Sequence, residues 1–451
     1  MRTPDRLDRR ALEAVQTRKL EALGERLRRN PFFRDRLGSV KGALTIHSLR
    51  GIEPVTKEEI LADQAEHPPM GRRLGVEPSE VEMVHTTGGT SGRGREIYGL
   101  TMRDVANVGM LSSFSYAWAG LRAGEAGAYN VGLSNSSGGN CWISATQAIG
   151  RAPVIIAHTG FDERIDLLRR FPPAAMYGTP SAINGLVNTA ERRAINLREE
   201  IPSLRSIIVT GEPYPVEWAR AMEELWGVQL FEAYGLTQSG SSLCAATCEC
   251  GAAPEGLRGR MHLWEWAFVL EIVDPETLEP TPLGEEGEIL LTTLDKEASP
   301  VVRFRTRDRV RYLGRDGCAC GRVLRAVEAG SIARFDDMIK IKGQNVWPSD
   351  IEATLFGSGD VAEFNGVVAI SDKGRDELTL SVAVRSGVDG EGLAQRLRRS
   401  VKEQFNLTPV VRIVDSSELE TFDTPERKAR RVKDVRQEGL RESARATGLD
   451  G

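Results

Sequence analysis

Residues 206–238 read SIIVTGEPYPVEWARAMEELWGVQLFEAYGLTQ. Ser206-Ile207-Ile208-Val209-Thr210 and Val228-Gln229-Leu230-Phe231 are short, β-branched or apolar runs, and Pro215 to Leu225 between them is helical in pattern. The segment therefore reads strand, helix, strand. The same alternation runs backwards through Ala174-Ala175-Met176-Tyr177-Gly178, a helical Glu163 to Arg170 and Ala152-Pro153-Val154-Ile155-Ile156-Ala157. From Val84 to about residue 300 it predicts an α/β domain with a largely parallel sheet. In such sheets the residues just past the carboxyl end of a strand line the ligand crevice. Here they are Thr210-Gly211-Glu212-Pro213 and Glu232-Ala233-Tyr234-Gly235-Leu236-Thr237-Gln238. A tyrosine placed there can stack on a base and a threonine can donate to phosphate. Taken singly, either segment also reads as a turn.

The pattern changes towards the C-terminus. Phe268 to Val273, Glu288 to Thr293 and Arg309 to Tyr312 are strands joined by turn-rich pieces, a β-rich subdomain. From Asp336 the chain shows a strand (Met338 to Lys342), a helix (Ser349 to Leu355), two further strands and a final helix, which is a small α+β domain. The boundary expected is 1–335 and 336–451. The first 50 residues read as helix, with Leu12, Val15, Leu20, Leu23 and Leu27 at helical spacing, and Thr56 with Glu59 forms a capping-box signature.

The chain has 451 residues, 40% hydrophobic and 27% charged, which excludes disorder throughout. A net charge of −5 argues against a nucleic-acid binder. No apolar run is long enough to span a membrane, and the charged N-terminal stretch lacks a signal peptide's apolar core, so a cytoplasmic location is expected. Of six cysteines, Cys141 stands alone and the others group as Cys244, Cys248 and Cys250, then Cys318 and Cys320. Such grouping in a reduced compartment points to metal ligands before disulfides.

His85-Thr86-Thr87-Gly88-Gly89-Thr90-Ser91-Gly92-Arg93-Gly94-Arg95 follows a short strand. Glycines let backbone N–H groups approach phosphate closely, hydroxyls add donors, and Arg93 and Arg95 offset negative charge. It lacks the Gly-Lys-Ser/Thr ending of a Walker A loop. Val301-Val302-Arg303-Phe304-Arg305-Thr306-Arg307-Asp308 offers an acceptor for ribose hydroxyls at Asp308 and arginines for phosphate, but also reads as a solvated edge strand. Residues 422–433 form a basic tail, ordinarily a solvated surface.

Taken in order, these segments resemble the adenylate-forming superfamily of acyl-CoA ligases, most closely its phenylacetate–coenzyme A ligase branch, over nearly the whole chain. Asn30-Pro31-Phe32-Phe33-Arg34 and Pro54-Val55-Thr56-Lys57 are similar to that branch's N-terminal region. Thr87 to Gly94 stands where the family has its phosphate loop, which implies Thr87, Gly88, Gly89, Thr90 and Ser91 as nucleotide contacts. Gly211, Glu212 and Pro213, then Ala233, Tyr234, Gly235 and Thr237, fall in the adenine-pocket motifs, and Asp308 in the ribose motif. Arg334-Phe335-Asp336-Asp337-Met338 resembles the hinge, with Arg334 facing phosphate or ribose. Lys340 to Pro348 resembles the loop that faces the site during thioester formation, and Lys428 falls at the C-terminal catalytic lysine. The implied fold is a large N-terminal domain with mixed sheets and a β-rich subdomain, plus a small mobile C-terminal α+β domain. Some members of the branch carry a structural zinc. Here the resemblance implies His262, Cys318, Cys320 and either Cys248 or Cys250 as ligands.

The resemblance implies ATP, Mg²⁺ and coenzyme A as cofactors and an aromatic carboxylate as substrate, with Lys428, Thr237 and Arg334 as catalytic residues. The acid would be adenylated with loss of pyrophosphate, after which a thiol displaces AMP. Two positions depart from the family pattern: Gln238 replaces a glutamate associated with magnesium, and Arg93 replaces a common lysine. The Ser- and Asn-rich segment Asn130 to Trp142 lies where the branch builds part of its acyl pocket. It points to an aryl or arylacetic acid bearing amino or hydroxyl groups, unless its polar atoms satisfy one another. Transfer to a carrier-protein thiol or an amine in place of coenzyme A is the alternative, and a homodimer stays open.

Overall fold

The computed structural model describes residues 3–87, 94–122, 124–132, 137–149, 153–371, 374–419 and 431–436. Five strands, Pro153–Ile155, Gly127–Asn130, Ala175–Gly178, Ser206–Val209 and Gln229–Gly235, lie side by side in that order and run parallel. All four residues of Ser206–Val209 are buried, as expected of a parallel strand covered on both faces. One cover includes the helices Phe161–Arg170, Pro180–Arg192 and Val216–Trp226. The last turns Trp218, Ala219, Met222 and Trp226 inward and ends on Gly227 in the left-handed conformation at φ 65°. Each large side chain so buried contributes roughly 1.5–3 kcal/mol.

The sheet does not stop at the parallel strands. Beyond Gln229–Gly235 it continues antiparallel through Leu243–Thr247, Arg260–Leu263, Ala326–Glu328, Phe304–Gly314, Glu286–Thr293 and Phe268–Val273, giving twelve strands with Ala333–Arg334 paired beside Phe304–Gly314. The expected β-rich subdomain is therefore the antiparallel half of one mixed sheet. The charged run before Asp308 enters an internal strand, and its arginines are held by carboxylates: Arg305 Nη2 lies 2.6 Å from the fully buried Glu288, and Arg303 Nε lies 3.0 Å from Glu271.

A second sheet of four strands, in the order Val410–Ile413, Asp376–Val384, Val361–Ile370 and Val432–Asp434, carries the helices Pro348–Phe356 and Gly390–Phe405 around Phe364, Leu380 and Val382. The two short outer strands follow the helix expected to be the last. Their brevity hid them: Val432–Asp434 is three residues inside a basic run. At the other end the helix spans only Arg9–Leu27, and Gln16 turns inward beside the half-buried Val15, its amide donating to the Phe268 carbonyl at 3.4 Å. Thr56 and Glu59 close the expected capping box.

The two sheets' domains meet through polar contacts. Arg309 Nη2 reaches Asp350 at 2.8 Å while its guanidinium lies 4.5 Å from the Trp347 ring centroid. Arg385 pairs with Glu191 at 2.8 Å, and Arg431 Nη2 donates to Ser181 Oγ at 2.9 Å. No helix among the described residues is long and apolar enough to cross a membrane.

Candidate active site

The two segments that follow adjacent parallel strands are tied directly: Thr210 Oγ1 donates to the Ala233 carbonyl at 2.6 Å. Gly211 holds φ +83°, a conformation that favours glycine, so Glu212 and Pro213 leave the strand in a sharp turn. At Gly235 a Cβ would lie 2.6 Å from the Ser242 carbonyl oxygen, so only glycine lets Tyr234 and Thr237 flank so close a crossing of chains.

Tyr234 donates its hydroxyl to Asp308 Oδ2 at 2.6 Å, and Arg334 Nε lies 3.3 Å from Asp308 Oδ1. Asp308 and Arg334 are register partners on paired strands, which fixes the second contact through the backbone. Burial, with Asp308 adjacent, pushes the Tyr234 phenol well above its ordinary range, so it stays a donor. Asp308 likewise raises the Arg334 guanidinium. The result is a buried carboxylate held by one neutral and one cationic donor, with Arg334 half-exposed beside it. Arg307, at φ +60°, reaches Asp336 Oδ1 at 3.0 Å and so ties this strand to the hinge segment.

Thr237 is buried and opens a short turn, its carbonyl accepting from Ser241 N at 3.1 Å. Gln238 Nε2 donates to both carboxylate oxygens of Glu96, at 3.1 and 2.9 Å, and Tyr98 donates to the same group at 3.1 Å. The neutral residue in the motif is thus accompanied by a carboxylate from the segment before strand Ile97–Leu100. Thr87 pairs with Glu96 across the glycine-rich loop, Thr87 N to Glu96 O and Glu96 N to Thr87 Oγ1, both at 3.0 Å. Gly88, Gly89, Thr90, Ser91 and Arg93, together with Lys428, lie outside the described residues. Lys342 to Asn345, the tip of the hairpin Ile339–Ile341/Gln344–Val346, is exposed.

His85, two residues before Thr87, places Nδ1 2.6 Å from Ser241 Oγ and Nε2 3.3 Å from Asn140 Nδ2. Burial pulls its pKa down to about 4, so the ring is neutral at physiological pH. Ser241 sits at φ +64°. In the polar segment, Asn130 is satisfied by the Ala182 carbonyl and by Arg164, and Trp142 stacks on Tyr177 with ring centroids 3.5 Å apart. Leu133 to Ser136 lie outside the described residues.

A separate cluster brings together Cys248, His262, Cys318 and Cys320, one donor atom from each within 4.8 Å of all the others. Cys250 is not one of the four, its sulfur lying 3.9 Å from that of Cys318. His262 Nε2 lies 3.3 Å from Cys320 Sγ, and its buried Nδ1 has no partner among the described residues. Hydrogen bonds from Cys248 and His262 favour the Cys320 thiolate. Arg322 closes the cluster from behind, with Nε 3.2 Å from Asp5 Oδ2 and its guanidinium 4.3 Å from the Trp118 ring centroid.

Sequence reasoning missed Glu96, the His85–Ser241 contact and the buried Arg431. An acidic residue between Arg95 and Ile97 looks like any solvated charge, and only the folded chain brings it to Gln238. Another buried acid, Glu232, belongs to the motif strand itself and accepts from Tyr214 Oη at 2.9 Å and Gly330 N at 2.6 Å. Burial raises its pKa to about 7. The folded chain therefore holds a proton that the unfolded chain releases near pH 4.5, and stability falls as pH rises from about 4.5 to 7. Denaturant melts across that window are expected to show Glu232→Gln losing this slope, a difference of about 3 kcal/mol between its ends. Parallel curves for the two proteins would contradict the assignment.

The sequence was matched by two family models, an AMP-binding enzyme over residues 54–293 and an AMP-binding enzyme C-terminal domain over residues 343–436. A phenylacetate–coenzyme A ligase of Thermus thermophilus is 30% identical over 95% of this chain and 98% of its own length, and one of Pseudomonas putida is 29% identical over 84% and 86%. The fold is shared with a 2-hydroxyisobutyryl-CoA ligase at 22% identity, covering 98% of this chain and 94% of that one. The TM-score is 0.85 against its postadenylation state and 0.68 against its thioesterification state. On the matched models and the curated relatives together, the chain belongs to the AMP-binding enzyme family of adenylate-forming ligases, in its phenylacetate–coenzyme A ligase-like branch.

Proposed function

We propose that this enzyme is an AMP-forming acid–thiol ligase that joins an aromatic carboxylic acid, bearing amino or hydroxyl groups, to coenzyme A. The observation that carries the reading is the Tyr234–Asp308–Arg334 cluster beside the carboxyl ends of the parallel strands, in a chain whose relatives are phenylacetate–coenzyme A ligases. A free carboxylate is a poor acyl donor. One of its oxygens attacks the α-phosphorus of ATP, the bond to the β-phosphate oxygen breaks, and pyrophosphate leaves. The coenzyme A thiolate then adds to the acyl carbon and AMP leaves. Asp308 accepts from ribose hydroxyls, and Arg334 and Lys428 meet the charge that grows on phosphoryl oxygens. Thr87, Gly88, Gly89, Thr90 and Ser91 donate to phosphate, and Glu212, Ala233, Tyr234 and Gly235 frame the base.

Magnesium is a hard cation that prefers oxygen donors, and the carboxylate of Glu96, held beside Thr237 by Gln238 Nε2, supplies that chemistry. When bound, the ion would neutralise phosphate charge. The three thiols and one imidazole of the cysteine cluster match zinc in donor type and number, in a closed structural site with Cys248 as the fourth ligand.

The reading is tested by AMP release from Mg-ATP across aromatic and aliphatic acids, with and without coenzyme A. Turnover that requires both an aromatic acid and coenzyme A is expected. Adenylate that forms without response to coenzyme A would transfer the activity to a carrier thiol or an amine, and preference for unsubstituted phenylacetate would remove the polar-substituent assignment. Asp308→Ala is expected to raise KM for ATP about ten- to a hundredfold, the effect of losing one or two hydrogen bonds to a charged group.

A further inference from the structure

Arg431 is an arginine with almost no access to solvent, yet it belongs to the C-terminal domain and touches the N-terminal one. Its own strand is docked first: Gly366 N donates to the Arg431 carbonyl at 2.6 Å, and Val432–Asp434 then pairs parallel with Val361–Ile370. The guanidinium forks onto Glu363 at 2.6 and 3.1 Å, lies 3.5 Å from Glu352, and covers the Phe356 ring at 5.0 Å. These contacts fix its direction within its own domain. Across the boundary, Nη2 also donates to Ser181 Oγ at 2.9 Å. Ser181 in turn donates both Oγ, at 2.5 Å, and its backbone N–H, at 2.9 Å, to the same oxygen of Glu212.

Glu212 belongs to the turn after strand Ser206–Val209, which the proposed function assigns to the adenine pocket. The other described arginine contacts between the domains, Arg307 with Asp336, Arg309 with Asp350 and Arg385 with Glu191, have a partly exposed carboxylate partner and do not involve that turn. Among the described residues, the acids facing Arg431 are Glu212, Glu352 and Glu363. Burial and the two neighbouring acids push Glu352 up to about 8, against the pull of Arg431. Withdrawing a cation from buried acids is strongly destabilising, and the Ser181 and Glu212 side of this arrangement is reached only while the domains are docked.

We propose that Arg431 is a positioning residue for the adenylating half-reaction: through Ser181 it couples the docked arrangement of the C-terminal domain to the placement of Glu212 at the nucleotide pocket. If the C-terminal domain is mobile, as the resemblance implies, its rotation for thioester formation would break the Arg431–Ser181 bond and release that constraint. This assignment rests on the ligase reading. It concerns geometry shared by two domains, so it predicts a split between half-reactions that a defect in folding would not produce.

The test uses Ser181→Ala, which leaves the C-terminal domain untouched, alongside Arg431→Ala and Arg431→Lys in the full chain. Acid-dependent exchange of pyrophosphate into ATP reads the first half-reaction. Thioester formation from chemically prepared acyl-adenylate and coenzyme A reads the second. Ser181→Ala is expected to lower the exchange rate at subsaturating ATP about tenfold, the effect of one hydrogen bond to a charged group, with KM for ATP raised and thioester formation undiminished. Arg431→Ala is expected to lower exchange further. Arg431→Lys is not expected to restore it, because one ammonium cannot hold the Glu363 fork and Ser181 together. Equal loss in both halves, or exchange unaffected by Ser181→Ala, would overturn the assignment. An unaltered chain that exchanges pyrophosphate with no acid would instead overturn the ligase reading itself.

Discussion

Lys428→Ala is expected to lower pyrophosphate exchange about a thousandfold, the scale on which removing one preorganised group at a developing charge slows a reaction. The same variant, given preformed acyl-adenylate, is expected to form thioester at close to the unaltered rate. The physical reason is where charge appears. In the first half-reaction a carboxylate approaches an already anionic phosphate and negative charge builds on the phosphoryl oxygens, so a cation between them lowers the barrier most. In the second, a thiolate attacks an activated carbonyl and a stable phosphate monoester leaves, a step with much less need of that ammonium. Loss of both half-reactions together would remove Lys428 from the role the resemblance implies, and loss of neither would leave the chain without a catalytic lysine at this position.

The second large effect belongs to the cysteine cluster. Three thiols and an imidazole within 4.8 Å of one another are poorly matched by themselves, because thiols make only weak hydrogen bonds and thiolates repel. A bound zinc ion would resolve both problems and would link segments far apart in sequence, Cys248, His262 and Cys318-Ala319-Cys320. Elemental analysis of the purified enzyme is expected to find one zinc per chain. Cys248→Ser is expected to lose the metal and lower the Tm by about 10 °C, with chelation of the unaltered enzyme doing the same. Cys250→Ser is expected to keep it. Full metal content in the Cys248 variant would place the fourth ligand elsewhere.

The parallel core was legible because its strands are short apolar runs separated by amphipathic helices, and because glycines stand where the chain must turn. Asp308 and Tyr234 were each legible as candidates, but their contact was not: they are 74 residues apart, and only the sheet order brings them together. Cys248 and Cys250 could not be separated from spacing, since a ligand is chosen by the direction in which a strand end points. Gln238 looked like a simple loss of charge until Glu96 was seen against it. The arginine-rich strand could be read as an edge as well as a binding strand because its partners, Glu271 and Glu288, are supplied by other strands. In each case the missing information was a long-range pairing, which one sequence carries only implicitly.

The distance between Tyr234 and Asp308 has a further consequence for shape. Their strands are separated by four steps in the sheet order, through Leu243–Thr247, Arg260–Leu263 and Ala326–Glu328. In a flat sheet four steps span about 19 Å, yet the two side chains are in contact at 2.6 Å. The antiparallel half must therefore roll up like the staves of an unfinished cask, with the phenol and the carboxylate closing its open seam. The cysteines and His262 sit on the staves opposite that seam, or at their ends. Flattening the curve would part Tyr234 from Asp308 before a single strand had come undone.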